Sequence, residues 1–189
     1  MRVIAGQLRG RTLKAPTGDR TRPTADRVRE GLFSMLGTVE ALNVLDLYAG
    51  TGALGIEALS RGAARAVFVE SAAEALTCLV ANLTSLQLTQ RASVVRRPVE
   101  RVQAELAALG PFDLVFCDPP WRKVESVWSL LARWDWQSCL SPGGVLVLEH
   151  PATREIVTSL SAHLELGRTR AWGDSAITLL RRTATVEQP

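Results

Sequence analysis

No apolar run in the chain approaches the roughly 20 residues that cross a bilayer, and the opening "MRVIAGQLRGRTLKAP" lacks the apolar block of a secretory leader. A cytoplasmic protein is expected. Cysteine is scarce: Cys78, Cys117 and Cys139 are an odd number without any C-x-x-C spacing. That argues against a disulfide framework or a thiolate metal site and for reduced, packed thiols. The two histidines, His150 and His163, are too few and too far apart for an imidazole metal site. Internal repeats and low-complexity tracts are absent as well, so 189 residues with 47% apolar and 22% charged side chains read as one globular domain, with room for a short appendage.

The net charge of +3 is unevenly spread. Residues 1–30 carry eight basic side chains against three acids, a local balance of +5 that leaves −2 for the rest. A basic segment is often only solvated surface. Here glycines and threonines interleave the arginines, a composition suited to presenting backbone and cations together to a phosphate chain. Residues 1–21 are expected to form a small hairpin extension turning near Arg9-Gly10, ahead of a main domain over 22–189.

From residue 43 apolar runs alternate with helical patterns. Strands are expected at 43–50, 64–70, 92–97, 112–118 and 145–150, with helices at 53–62, 72–86, 99–110 and 124–138. "SPGG" (141–144) is expected to turn into the last of these strands. Continuous apolar strands between helices predict a parallel sheet covered on both faces, that is, a doubly wound α/β fold. Over 164–182 two strand-like runs meet at "WGDS", predicting a closing antiparallel hairpin. A further helix is expected at 22–36, with Thr24 as its cap, Val28, Leu32, Met35 and Leu36 as its apolar stripe, and Arg27 and Arg29 facing water or a ligand.

Chemistry concentrates at two strand ends. "DLYAGTGALG" (46–55) satisfies G-x-G-x-x-G after a strand and before a helix, and Glu70 ends the next strand, where a carboxylate can accept ribose hydroxyls. A glycine turn that merely packs a helix on a sheet would look similar. Either a nicotinamide dinucleotide or S-adenosylmethionine fits such a loop. Asp46 favours the second, because a carboxylate opposes a pyrophosphate but suits an ammonium and a sulfonium.

The other end is "FCDPPW" (116–121), an acid, two prolines and a tryptophan after an apolar strand. In a doubly wound sheet this corner emerges beside the glycine loop, where ligands bind. Asp118 and the carbonyl of Pro119, stiffened by Pro120, can each accept one N–H of an exocyclic base amine, freeing its lone pair for attack on a sulfonium methyl. Trp121 can stack on the base. A rigid loop with a core-capping tryptophan is the bland alternative.

These stretches resemble the S-adenosylmethionine-dependent amino-methyltransferases that carry a (D/N)PP(Y/F/W) motif. With "RVIAGQLRGRTLKAP" and "RPTADRVREGLFSML" included, the chain resembles the RsmD family from Arg2 to about Arg182. The resemblance implies a seven-stranded, mostly parallel Rossmann-like methyltransferase sheet and transfer of a methyl group to the exocyclic N2 of one guanine in 16S rRNA. The partner expected is 16S rRNA, within an assembling small subunit, with naked rRNA the alternative. The donor site expected on this basis comprises Asp46, Tyr48, Ala49, Gly50, Thr51, Gly52, Ala53, Glu70, Ser71, Val99 and Asp118. Val99 enters because Pro98 in "RRPVE", where the family has a small polar or amide residue, offers no N–H to the adenine. The acceptor site is Asp118, Pro119, Pro120 and Trp121, and the RNA contacts are Arg2, Arg9, Arg11, Lys14, Arg22, Arg27 and Arg29. A DNA adenine-N6 enzyme, a protein glutamine methyltransferase, an NAD(P)-dependent oxidoreductase and a non-catalytic RNA-binding protein are the competing readings. The first needs room for a target-recognition domain, the second has no use for the basic segment, and the third has none for "DPPW". The intact motif argues against the fourth.

Overall fold

A computed structural model of the chain describes residues 1–16, 23–154 and 163–183, with side chains 23–25 outside the description. Its centre is one sheet of seven strands: β1 (Asn43–Leu47), β2 (Arg65–Val69), β3 (Ala92–Val95), β4 (Phe112–Cys117), β5 (Leu140–Pro151), β6 (Leu164–Trp172) and β7 (Ser175–Arg182). The order is β3-β2-β1-β4-β5-β7-β6. Strands β1 to β5 pair parallel, and β7 enters antiparallel between β5 and β6. Succession reverses between β1 and β4, the point at which doubly wound sheets open a crevice.

Among the described residues six α-helices accompany the sheet: α1 (Pro23–Leu36), α2 (Ala53–Ser60), α3 (Ala73–Ser85), α4 (Gln103–Leu109), α5 (Val124–Leu131) and α6 (Trp136–Cys139). Alternate residues of each strand point to opposite faces, and both faces are buried, which is why the strands read as unbroken apolar runs. Leu45, Leu47, Val115 and Leu148 pack with Leu106, Val127, Trp128 and Leu131 on one side. Val44, Phe68, Phe116 and Val147 pack with Leu32, Phe33, Ile56 and Leu79 on the other. Among the described residues no helix is long and apolar enough to cross a membrane.

Four expectations change in detail. The helix at 124–138 is two, because the chain leaves α5 after Leu131 and restarts where Asp135 accepts the Gln137 N–H at 3.0 Å; such an Asp cap begins a new helix rather than continuing the old one. "SPGG" lies inside β5, beside a register shift against β4, and does not precede it. Helix α1 starts at Pro23, one residue ahead of the expected cap Thr24, and the helix expected over 99–110 is a single 3₁₀ turn followed by α4.

The amino-terminal segment folds back as expected, with residues 1–3 bonding to 11–13 through Val3 N–H to Arg11 O and Leu13 N–H to Met1 O, both 2.9 Å. It is fastened to α2 and α3 by buried polar groups. Glu57, fully buried, accepts the N–H groups of Ile4 (2.7 Å) and Ala5 (3.0 Å) and the Nε of Arg61 (2.7 Å). Asn82 accepts the Lys14 N–H at 2.7 Å and donates to Lys14 O and Thr51 O at 3.0 Å each, tying the segment to the glycine loop. Gly6 touches α2 so closely that a Cβ would lie 1.9 Å from Ser60 O, and its φ of +81° independently calls for glycine.

Candidate active site

The parallel register brings the predicted strand ends together. Leu47 pairs with both Val69 and Cys117. Tyr48, Glu70 and Asp118 therefore leave the sheet side by side at its carboxyl edge, with Glu70 and Asp118 two strand spacings apart, roughly 10 Å. The glycine loop between β1 and α2 is tightly bent: Tyr48, Gly50 and Gly52 have φ of 59°, 55° and 85°. A Cβ on Gly52 would meet Leu79 Cδ1 at 2.5 Å, so this glycine lets α3 close on the loop. Ala49 N–H donates to Val69 O at 3.0 Å and Gly52 N–H to Ala49 O at 2.7 Å. Thr51 is buried and Ala53 half-buried.

Glu70 holds the loop from the neighbouring strand. One carboxylate oxygen accepts the Gly50 N–H at 2.8 Å, the other the N–H groups of Ser71 (2.7 Å) and Ala72 (2.8 Å). Val99 is buried at the start of the 3₁₀ turn after Pro98. Beside it Glu100 accepts a long bond, 3.4 Å, from the Tyr48 hydroxyl and lies 3.7 Å from Lys123 Nζ.

Asp46 differs from its expected placement at the ligand. It shares the strand phase of Val44, which points it at the face covered by α2, and there it accepts the Gly55 N–H at 2.9 Å. Only 2% of it is exposed. Burial raises its pKa to about 7, against the lowering pull of the Gly55 bond and with a further rise from Glu70. A carboxyl that keeps its proton longer when folded makes the ligand-free protein lose stability as pH rises from about 4 to about 7, by up to about 4 kcal/mol once fully charged. Asp46→Asn keeps the acceptor for Gly55 and removes the charge. It is expected to be more resistant to urea than the parent at pH 8 and by a clearly smaller margin at pH 5, and equal differences at both pH values would refute the assignment.

The corner at Asp118 to Trp121 opens into a cleft of about 610 Å³ whose lining includes Ala53 and Leu54 of the first turn of α2, Arg29 of α1, Asp118, Trp121, Glu149 and Trp172. Pro119 is buried and Pro120 exposed. Trp121 is 49% exposed, an unusual position for so large an apolar ring. Asp118 is exposed at the cleft, though protein groups crowd around its carboxylate. Burial raises its pKa well above the ordinary carboxylate range, and Glu149 and then Asp46 push it further. Burial also raises Glu149, a tendency opposed by a hydrogen bond from the Ser175 side chain. Among the described residues Asp46, Glu70, Asp118 and Glu149 form no ion pair with Lys or Arg. Four such carboxylates around one loop and cleft suit a ligand fragment bearing an ammonium and a sulfonium, and oppose a pyrophosphate.

The basic segment is borne to the surface with one correction. Arg2, Arg9, Arg11, Lys14 and Arg27 are exposed, and Arg2, Arg9 and Arg27 share a second cavity of about 410 Å³ with Asp26 and Glu30. Arg22 lies outside the described residues. Arg29, expected to face water or RNA, is buried. Its Nη2 donates to Arg2 O (2.6 Å) and Asp26 Oδ1 (2.9 Å), and its Nε lies 4.0 Å from Glu57. Successive helical residues turn by about 100°, so Arg27 and Arg29 stand nearly opposite each other and only one can face outward.

Glu149 and Trp172 are members of the cleft that sequence reasoning missed. Glu149 was within reach of the rule that found Glu70 and Asp118, since "VLVLEH" also ends a parallel strand. Trp172 was not, because its position depends on how the closing hairpin folds over α1. A Cβ on Gly31 of that helix would lie 2.3 Å from the Trp172 ring.

The sheet order, with its penultimate strand reversed, is that of the Rossmann-like methyltransferases, and this is the class to which the fold assigns the chain. Within it the chain belongs to the family described as Conserved hypothetical protein 95, matched over residues 1–181. Ribosomal RNA small subunit methyltransferase D of Escherichia coli (strain K12) is 37% identical over 191 residues, covering 99% of this chain and 92% of that protein. YlbH of Bacillus subtilis (strain 168) is 36% identical over 184 residues, covering 96% and 99%. The solved structure of yhhF from Escherichia coli aligns with a TM-score of 0.81 at 36% identity, covering 98% of this chain and 99% of that one. The resemblance to the RsmD family read from the sequence is thus borne out.

Proposed function

We propose that the chain transfers a methyl group from S-adenosylmethionine to the exocyclic N2 amine of one guanine in 16S rRNA, presented in an assembling small subunit. The observation that carries this reading is the sharing of one cleft by Asp118, Trp121 and Ala53, the first residue of α2, so that the proposed amine-binding corner lies beside the helix that follows the glycine loop. When bound, S-adenosylmethionine supplies an electrophilic methyl on a sulfonium. Glu70 is placed to take the ribose hydroxyls, exchanging its bonds to backbone N–H groups for bonds to the ligand. The buried negative charge of Asp46 supplies the counter-field for the ligand's amino-acid end through Gly55 and the first turn of α2.

On the acceptor side, Asp118 and the Pro119 carbonyl accept the two N–H bonds of the amine, and Trp121 stacks on the base. Stacking is worth about 1–3 kcal/mol per base, whereas positioning can supply up to roughly 7–11 kcal/mol of a barrier. Holding the amine with its lone pair on the methyl is therefore the larger contribution. The basic amino-terminal segment extends the contact to phosphates through the exposed Arg9 and Arg11, the second of which makes only a long bond, 3.5 Å, to Ser85 O.

Mass mapping of rRNA from cells lacking the protein is expected to show one methyl group missing from a single 16S guanine; an unchanged methylation pattern would overturn the proposal. Charge reversal at Arg9 and Arg11 together is expected to weaken RNA binding by about tenfold or more at low salt, and to flatten the dependence of log K on log salt by about two phosphate contacts. Unaltered affinity and slope would remove the segment from the interface.

A further inference from the structure

We propose that Glu149 reads the N1–H of the accepting guanine and so excludes adenine, an inference that rests on the acceptor reading above. Asp118 and Glu149 are neighbours across the sheet: Cys117 of β4 pairs with Leu148 of β5, Asp118 directly follows β4, and Glu149 is the next residue of β5. Their main chains thus stand one strand spacing apart, about 4.8 Å. Their strand phase is that of Phe116 and Val147, whose side chains pack on the face covered by α1, and both acids line the same cleft. Two carboxylates side by side in one cleft, neither forming an ion pair among the described residues, make an acceptor pair suited to two adjacent donors.

Guanine offers such donors. Along its Watson–Crick edge the N2 amine and the N1–H are neighbours, one for Asp118 and one for Glu149. Adenine also carries an exocyclic amine, but the adjacent N1 holds a lone pair, which would face the Glu149 carboxylate and be repelled. Burial raises the pKa of both acids, and at Asp118 the neighbouring Glu149 adds to the rise. The Ser175 side chain orients Glu149 through one hydrogen bond and leaves acceptor capacity for the base. Discrimination of this kind is strong because a buried polar group is left unpaired by the wrong substrate.

The test compares kcat/KM for an rRNA substrate carrying guanine at the accepting position with one carrying 2-aminopurine there, each presented in the form in which the guanine version is methylated. 2-Aminopurine keeps the N2 amine but replaces N1–H by a lone pair. The parent enzyme is expected to prefer guanine by about tenfold or more. Glu149→Gln, whose amide can turn its NH2 toward that lone pair, is expected to reduce the preference to within about threefold. Because the readout is a ratio on one enzyme, partial loss of folded protein cancels. If Glu149 serves only to hold Ser175 on β7, both rates fall together and the preference persists, which would overturn the inference while leaving the function intact. A parent enzyme that transfers no methyl to the guanine substrate would instead overturn the functional reading itself.

Discussion

Asp118→Ala is expected to lower the methyl-transfer rate by about 10²–10³-fold, the scale on which removal of one preorganised polar partner of a transition state is felt. Affinity for S-adenosylmethionine is expected to stay within about threefold of the parent. Alanine removes the acceptor that holds one N–H of the amine, while the Pro119 carbonyl and the Trp121 ring remain. Asp118→Asn separates acceptor from charge, since its amide oxygen can still accept, and its loss is expected to be smaller than that of alanine. The pH profile gives a second reading. The Asp118 pKa lies well above the usual carboxylate range through burial, then Glu149, then Asp46. Activity that needs the ionised acid therefore falls as pH is lowered, and does so at a higher pH than an exposed carboxylate would give. In Asp118→Asn that limb is expected to vanish. Single-turnover methylation across pH would show it, and an alanine variant with full activity would reject the mechanism.

Glu57→Ala is expected to destabilise the protein by about 3–5 kcal/mol, as breaking a buried, hydrogen-bonded charge does. For a chain of this size that corresponds to a fall in Tm of roughly 10 °C. The loss is large because one side chain serves four groups. Its removal leaves the Ile4 and Ala5 N–H groups without acceptors, frees Arg61, and strands Arg29, whose Nε already has no hydrogen-bond partner. Glu57→Gln retains part of the bonding and is expected to cost less. Hydrogen exchange should localise the damage, with the Ile4 and Ala5 amides losing protection before those of β1. A melting temperature within about 2 °C of the parent would show that the segment is held by other means.

Much of the site was legible because it follows from strand order alone. Once "DLYAGTG", Glu70 and "DPPW" are assigned to the ends of parallel strands, doubly wound topology brings them to one edge whatever the loops do. Arg29 and Asp46 were misjudged for a common reason. Each was assigned by its chemistry, whereas helical and strand periodicity decided its direction: α1 turns Arg29 away from Arg27, and β1 sends Asp46 under α2. The hub at Glu57 left no signal, since one Glu in a short helix resembles a solvated one until the segment it holds is seen against it.

By itself the sequence determined the parallel α/β sheet, the two candidate corners at its strand ends, and the basic balance of the first 30 residues, because alternation, glycine spacing and paired prolines act locally and survive any change of context. Only the tertiary structure decided which charges are buried and which are offered to a partner, and that Glu149 stands beside Asp118. Burial and strand register are relations between distant segments, set by how β5 lies against β4 and how the amino terminus folds over α2.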